Sequence, residues 1–345
     1  MLNLAREWSR SGVEVDLLLV QASGAYLEQV PAGLRAVELG SGRTLTSIPA
    51  LARYLRKARP TALLSGLVHV NVAAILARSL ARTGTRLIIS ERNTPSVDKN
   101  DVMPATRLGY RLAPYLYPKA DGIIAVSAGV ADDLAAFAGL LRESIEVVNN
   151  PVVTTELREL AKEPFEHRWF QPGLPPVVLA VGRISVQKDY ETLVRAFRRL
   201  RNERDCRLLI LGDGPERAEL EALIGELNLR EDVELFGFAR NPYAVMARAS
   251  VLALSSRWEG SPNVLVEAMA CGLPVVSTDC PSGPREILMD GKFGGLVPVG
   301  DYTQLANAIA KTLDHPTPST LLKRRSDDYD AKTSAAHYLR VLTGL

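Results

Sequence analysis

Apolar positions along this chain come in short runs, separated by stretches with helical spacing. In the first half the runs fall at residues 13–20, 61–66, 86–90, 122–127 and 145–150, with helical patterns at 2–11, 49–59 and 69–82. A second series follows at 177–182, 207–212, 233–238, 250–255, 274–278 and 294–299. Near-continuous Val, Leu and Ile runs that alternate with helices predict an α/β protein whose parallel sheets are covered on both faces. Two series predict two doubly wound, Rossmann-like domains facing one another, with ligands at the carboxyl ends of the strands. The stretch 164–176 is proline-rich and aperiodic and reads as a linker. The expected division is therefore a first domain over 1–163, a second over 177–329, and a closing helix over 330–345 that packs back on the first.

The opening breaks the pattern. A doubly wound domain usually begins with a strand, a glycine-rich turn and a helix. This sequence starts in the helix and reaches its first apolar run only at Val13. The first domain is expected to lack its opening strand, which leaves unpaired backbone groups beside the next one.

The most informative segment runs from Trp258 to Pro274 and places Glu259 and Glu267 eight residues apart. Ser261, Pro262 and Asn263 form a helix start, and Gly272 with Pro274 forms its end. Eight helical residues rise by roughly 12 Å. A helix N-terminus between two carboxylates suits an elongated ligand with hydroxyl-rich ends and a diphosphate in the middle.

Composition narrows the class. The chain has 345 residues, 47% of them hydrophobic and 23% charged, which fits two ordinary globular domains and argues against disorder. Its three cysteines, Cys206, Cys271 and Cys280, have no metal-ligand or disulfide spacing and point to a reducing compartment. No metal or other cofactor is expected. No apolar run is long enough to span a bilayer, and the amino terminus does not read as a secretion signal. The net charge of +2 hides an asymmetry: residues 1–120 carry sixteen Lys or Arg against eight Asp or Glu, a balance of +8. Arg53, Arg56, Lys57 and Arg59 form one cluster, and Arg78, Arg82 and Arg86 another. These are either solvated helix faces or a surface for anionic lipid or an anionic acceptor. No recognition module or aromatic–basic interleaving accompanies them, so nucleic acid is not an expected partner.

In order and spacing, VGRISVQKD, LLILGDGPER, LFGF, SSRWEGSPNVLVEAMACGLPVVSTD and GPREI resemble family 4 of the retaining glycosyltransferases, which have the GT-B fold of two Rossmann-like domains. The resemblance covers nearly the whole chain and is densest over 177–299. It implies transfer of a hexose or N-acetylhexosamine, with retention, from a UDP-sugar to a saccharide or lipid-linked saccharide. The phrasing is similar to bacterial enzymes of surface polysaccharide, lipopolysaccharide or glycolipid synthesis. That implies work in the cytoplasm, at the inner face of the membrane.

The same resemblance assigns roles. Arg183 and Lys188 match the family's phosphate contacts. Glu259 matches the acidic residue beside the donor sugar, and Glu267 the carboxylate that takes the ribose hydroxyls. Ser261, Asn263, Val264 and Leu265 line the helix opening, where backbone N–H groups serve phosphate or sugar. Phe238, with Phe236, lies where the family holds the base, although both rings read equally as core. On the acceptor side, Glu91 and Arg92 follow an apolar strand where many relatives carry a histidine. His69 is a second candidate, open to a purely structural reading, and Ser127 reads equally as facing the ligand or as a helix cap. Alternatives are an enzyme of phosphorylase or sucrose-forming type, and a nucleotide-sugar-binding protein impaired in catalysis by the missing strand and glycine-rich loop.

Overall fold

The computed structural model describes residues 1–21, 34–99 and 104–344. Its strands are β1 Asp16–Leu19, β2 Arg35–Glu38, β3 Ala62–Gly66, β4 Arg86–Glu91, β5 Gly122–Ala125, β6 Ile145–Val147, β7 Val177–Val181, β8 Arg207–Leu211, β9 Val233–Gly237, β10 Val251–Leu254, β11 Val275–Thr278 and β12 Gly295–Val297. Each apolar run of the sequence is a strand. β2 was not expected: three of its four residues are exposed, so no apolar run marks it.

The chain forms two compact units, Met1–Pro151 with Ala331–Leu345, and Val152–Asp330. The divide falls earlier than 163, because Val152, Val153 and Leu157 are buried in the core of the second unit. The proline-rich stretch 164–176 also belongs there. Trp169 is buried in that same core, with Phe165 and Phe170 packed against it.

In the first unit, β3, β4, β5 and β6 form a parallel sheet in that order, while β1 and β2 form a separate parallel pair. The two pieces share their covering layers. Leu18 of β1 and Leu63 of β3 pack on the core that holds the helices Ile48–Ala58, Val68–Ala81 and Ala128–Ala138. On the opposite face, Val13, Val15, Ala62 and Leu64 pack on the core of the helices Leu2–Arg10 and Ala331–Thr343. Among the described residues no ladder joins β1 to β3. The closing helix is tied to the opening one by Trp8, whose Nε1 donates to the Ala335 carbonyl at 2.8 Å. Large aliphatic side chains buried here, such as Leu4 and Ile88, each contribute roughly 1.5–3 kcal/mol.

The second unit holds one six-stranded sheet in the order β12–β11–β10–β7–β8–β9, with its ladders parallel. The order reverses between β7 and β10. In open parallel sheets the loops leaving such a pair diverge to opposite faces and leave room for a ligand at their carboxyl ends.

Candidate active site

The residues after β7 and β10 meet at that reversal. Lys188 Nζ lies 2.6 Å from Glu259 Oε1, and both side chains are largely buried. Ser256 donates its hydroxyl to the same carboxylate oxygen at 2.7 Å. The backbone is braced as well: Ser255 Oγ donates to the Lys188 carbonyl at 2.7 Å, and Gln187 Nε2 to the Trp258 carbonyl at 3.0 Å. Thr278 Oγ1 donates to the Ser256 carbonyl at 2.6 Å, linking β11 to the same loop. A buried cation and anion so fixed hold their position before any ligand arrives.

Two glycines set the loop shapes. A Cβ on Gly214 would lie 2.0 Å from the Ile184 carbonyl oxygen, so the turns after β7 and β8 touch backbone to backbone. Gly283 has φ +93°, and a Cβ there would meet Pro262 Cδ at 2.6 Å. The 280–284 loop thus packs directly on the start of the helix Asn263–Cys271.

That helix begins and ends where the sequence places it, with Pro262 before its first residue and left-handed Gly272 after its last. Pro262, at its N-cap, makes no side-chain cap hydrogen bond. Val264 and Leu265 turn their side chains into the core, so only their backbone is available to a ligand. Ser261 is half-buried and Asn263 exposed at the same end. Glu267 is half-buried along the helix. Burial pushes its carboxyl up to about 7, against the pull of the Lys188 charge and a hydrogen bond from Tyr243. Lys188 therefore lies within the electrostatic reach of both glutamates. Arg183 stands exposed on the same loop after β7. Phe238 is apart from this group, 61% exposed beyond the edge strand β9, while Phe236 packs on Phe165 and His167.

In the first unit the candidates separate. Glu91 is only 2% exposed and faces inward. Its Oε1 accepts from Asn71 Nδ2 at 2.8 Å and from the Tyr117 hydroxyl, and Asn71 in turn accepts from Ser65 Oγ at 2.7 Å. Burial pushes the Glu91 carboxyl up to about 7, although the bonds from Tyr117 and Asn71 oppose this. As placed here, it fastens the first turn of the helix Val68–Ala81 to the end of β4 rather than lining a surface. His69 sits in that first turn, half-buried, and burial lowers its pKa. Ser127 caps the helix Ala128–Ala138 by accepting from the Val130 N–H at 3.2 Å. Arg92 extends from the end of β4 to Asn150 Oδ1 at 2.7 Å. Ser256, Tyr243, Asn71 and Tyr117 carry no local sequence signal; they are recognisable only by the carboxylates they hold.

A lysine, two glutamates and a helix N-terminus at a sheet reversal suit a phosphate-linked sugar, and similarity to known proteins decides the family. Residues 1–156 match the model described as Glycosyltransferase Family 4, and residues 175–315 match Glycosyl transferases group 1. The chain is 34% identical over 278 residues to the N-acetylgalactosamine-N,N'-diacetylbacillosaminyl-diphospho-undecaprenol 4-alpha-N-acetylgalactosaminyltransferase of Campylobacter jejuni, covering 79% of this chain and 74% of that one. It is a family 4 glycosyltransferase. A shorter match, 33% identical over 187 residues, links it to the lipopolysaccharide 1,6-galactosyltransferase of Salmonella typhimurium, covering 52% of this chain and 49% of that one. Among solved structures, Anabaena Alr3699/HepE in complex with UDP-glucose aligns with a TM-score of 0.78 at 22% identity, covering 100% of this chain and 94% of that one. The apo lipopolysaccharide outer core galactosyltransferase WaaB aligns with a TM-score of 0.73 at 20% identity, over 99% and 94%. These likenesses establish the GT-B fold of this glycosyltransferase.

Proposed function

We propose that this glycosyltransferase moves a hexose or N-acetylhexosamine from a UDP-sugar to a hydroxyl of a saccharide or lipid-linked saccharide, retaining the anomeric configuration. The product belongs to a surface polysaccharide, lipopolysaccharide or glycolipid. The observation that carries this reading is the Lys188–Glu259 pair at the reversal of the second sheet, with Glu267 on the adjoining helix. The relatives named above support the acceptor class, since one acts on a diphospho-undecaprenol-linked sugar.

In this reading the donor diphosphate is held by Arg183, Lys188 and the N-terminus of the helix Asn263–Cys271. These positive groups stabilise the charge that grows on the leaving phosphate as the glycosidic bond breaks. Glu267 accepts hydrogen bonds from the ribose, and Glu259, with Lys188 drawn toward phosphate, accepts from the sugar. The acceptor hydroxyl attacks on the face the diphosphate leaves, and a departing phosphate oxygen takes its proton. Countercharge comes from side chains, so no resident metal is proposed. No helix among the described residues is long and apolar enough to cross a membrane. The basic first unit instead supports peripheral contact with anionic lipid at the cytoplasmic face.

Calorimetric titration with UDP-glucose, UDP-galactose, UDP-GlcNAc, UDP-GalNAc and GDP-mannose tests the donor. We expect selective binding to wild type that is lost in Glu267→Ala. A folded wild type that binds none of the UDP-sugars would overturn the reading. A second reading, donor binding without transfer, is favoured by the divided sheet of the first unit. Sugar release or transfer from a donor that binds well would exclude it.

A further inference from the structure

At the end of β4 a half-buried charge, Arg92, has no carboxylate partner among the described residues. Alternation along β4 and its continuation puts Ile88, Ser90 and Arg92 on one face and Glu91 on the other. Ser90 is wholly buried, and its hydroxyl finds no hydrogen-bond partner. Among the described residues the Arg92 guanidinium makes one side-chain bond, from Nη2 to Asn150 Oδ1, and its Nη1 is buried without a partner. Among the described residues no carboxylate pairs with it, since Glu91 is turned to the opposite face and bound by Asn71 and Tyr117. The stem of Arg92 lies across Gly66 at the end of β3, where a Cβ would come within 3.4 Å of its Cδ.

A half-buried cation without a counterion and a buried hydroxyl without an acceptor are each costly. An anion with several acceptor oxygens offers partners to both kinds of group, at the carboxyl ends of parallel strands where such ligands bind. The planar guanidinium matches phosphate better than it matches a single carbonyl. We propose that Arg92, with Ser90 and steadied by Asn150, forms a phosphate subsite on the first unit that anchors a diphosphate-bearing acceptor. This deepens the transferase reading above and rests on it. Arg92 is thereby a binding residue, while Asn150 is a positioning residue.

The test uses the full chain and inorganic diphosphate as probe. Lys188→Ala weakens the donor site, where Arg183 and the helix N-terminus remain, so the first unit is read from the difference Arg92 makes on this background. We expect Lys188→Ala to keep measurable diphosphate binding, and adding Arg92→Gln to weaken it at least tenfold. Ser90→Ala on the same background should weaken it several-fold, whereas a merely structural serine with an unsatisfied hydroxyl would leave it unchanged. Arg92→Lys, which keeps the charge and loses the fork, should fall between, and it covers the case in which Arg92→Gln does not fold. Equal affinities with Arg92 intact and replaced, or complete loss in Lys188→Ala alone, would overturn the subsite. UDP-sugar titration of the single Arg92→Gln variant separates the two ideas. Binding there should match wild type, and failure of wild type itself to bind would sink the donor reading instead.

Discussion

Glu91 and Glu267 are two buried carboxyls held up to about 7, and they have different consequences. In the proposed role of Glu267 as acceptor of ribose hydroxyls the ionised carboxylate binds best, so UDP-sugar affinity should fall as pH drops below 7, by up to about tenfold per unit. Glu267→Gln should abolish most of that dependence, as read from dissociation constants between pH 6 and 8. Glu91 acts on stability. An unfolded glutamate loses its proton near 4.5, whereas the folded Glu91 keeps it to about 7. Within that window the folded state holds more protons, so stability falls as pH rises and levels off above 7. Urea midpoints at pH 5 and pH 8 should show a smaller difference in Glu91→Gln than in wild type, with the remainder due to Glu267. An unchanged difference would contradict the placement of Glu91. Lys188→Met should lower kcat by about 10²–10³-fold, the usual effect of removing one positive group from a developing anion.

At the level of elements, the helix Asn263–Cys271 was readable residue by residue, because proline, a polar start and a terminal glycine each carry a local conformational preference. The alternating strands were readable for the same reason. β2 was not, since an exposed edge strand needs no apolar run. The Lys188–Glu259 contact was out of reach of local reasoning, because it spans 71 residues and depends on which strands lie side by side. Glu91 was misleading: a glutamate ending an apolar strand reads as an acceptor contact until Asn71 and Tyr117 are seen around it. The touching turns after β7 and β8 give a sharp element-scale prediction. Gly214→Ala forces a Cβ onto the Ile184 carbonyl, and backbone cannot yield as a flexible side chain does. We expect a loss of about 1–3 kcal/mol in stability and weaker UDP-sugar binding, because the displaced loop carries Arg183 and Lys188. Normal melting and normal binding would show that the turns separate easily.

For the whole molecule, charge is partitioned by sequence: the first 120 residues carry +8 of a chain whose net charge is only +2. Sedimentation with anionic vesicles should therefore be strong at low salt and largely lost near 0.5 M, where screening shortens the reach of surface charge. Retention at high salt would require an apolar contact instead.

The divided sheet of the first unit has a further consequence. Among the described residues β1 and β2 have only each other as hydrogen-bonded neighbours, and their place is kept by side chains such as Leu18 and by the Tyr54 hydroxyl on Asp16. Amide protons of β1 and β2 should exchange with solvent through local opening, well before those of β4 and β5, which are paired on both sides. The same opening leaves the rims of β1 and β3, which no strand among the described residues pairs, able to capture an extended segment from another chain. Self-association during storage or refolding should start there.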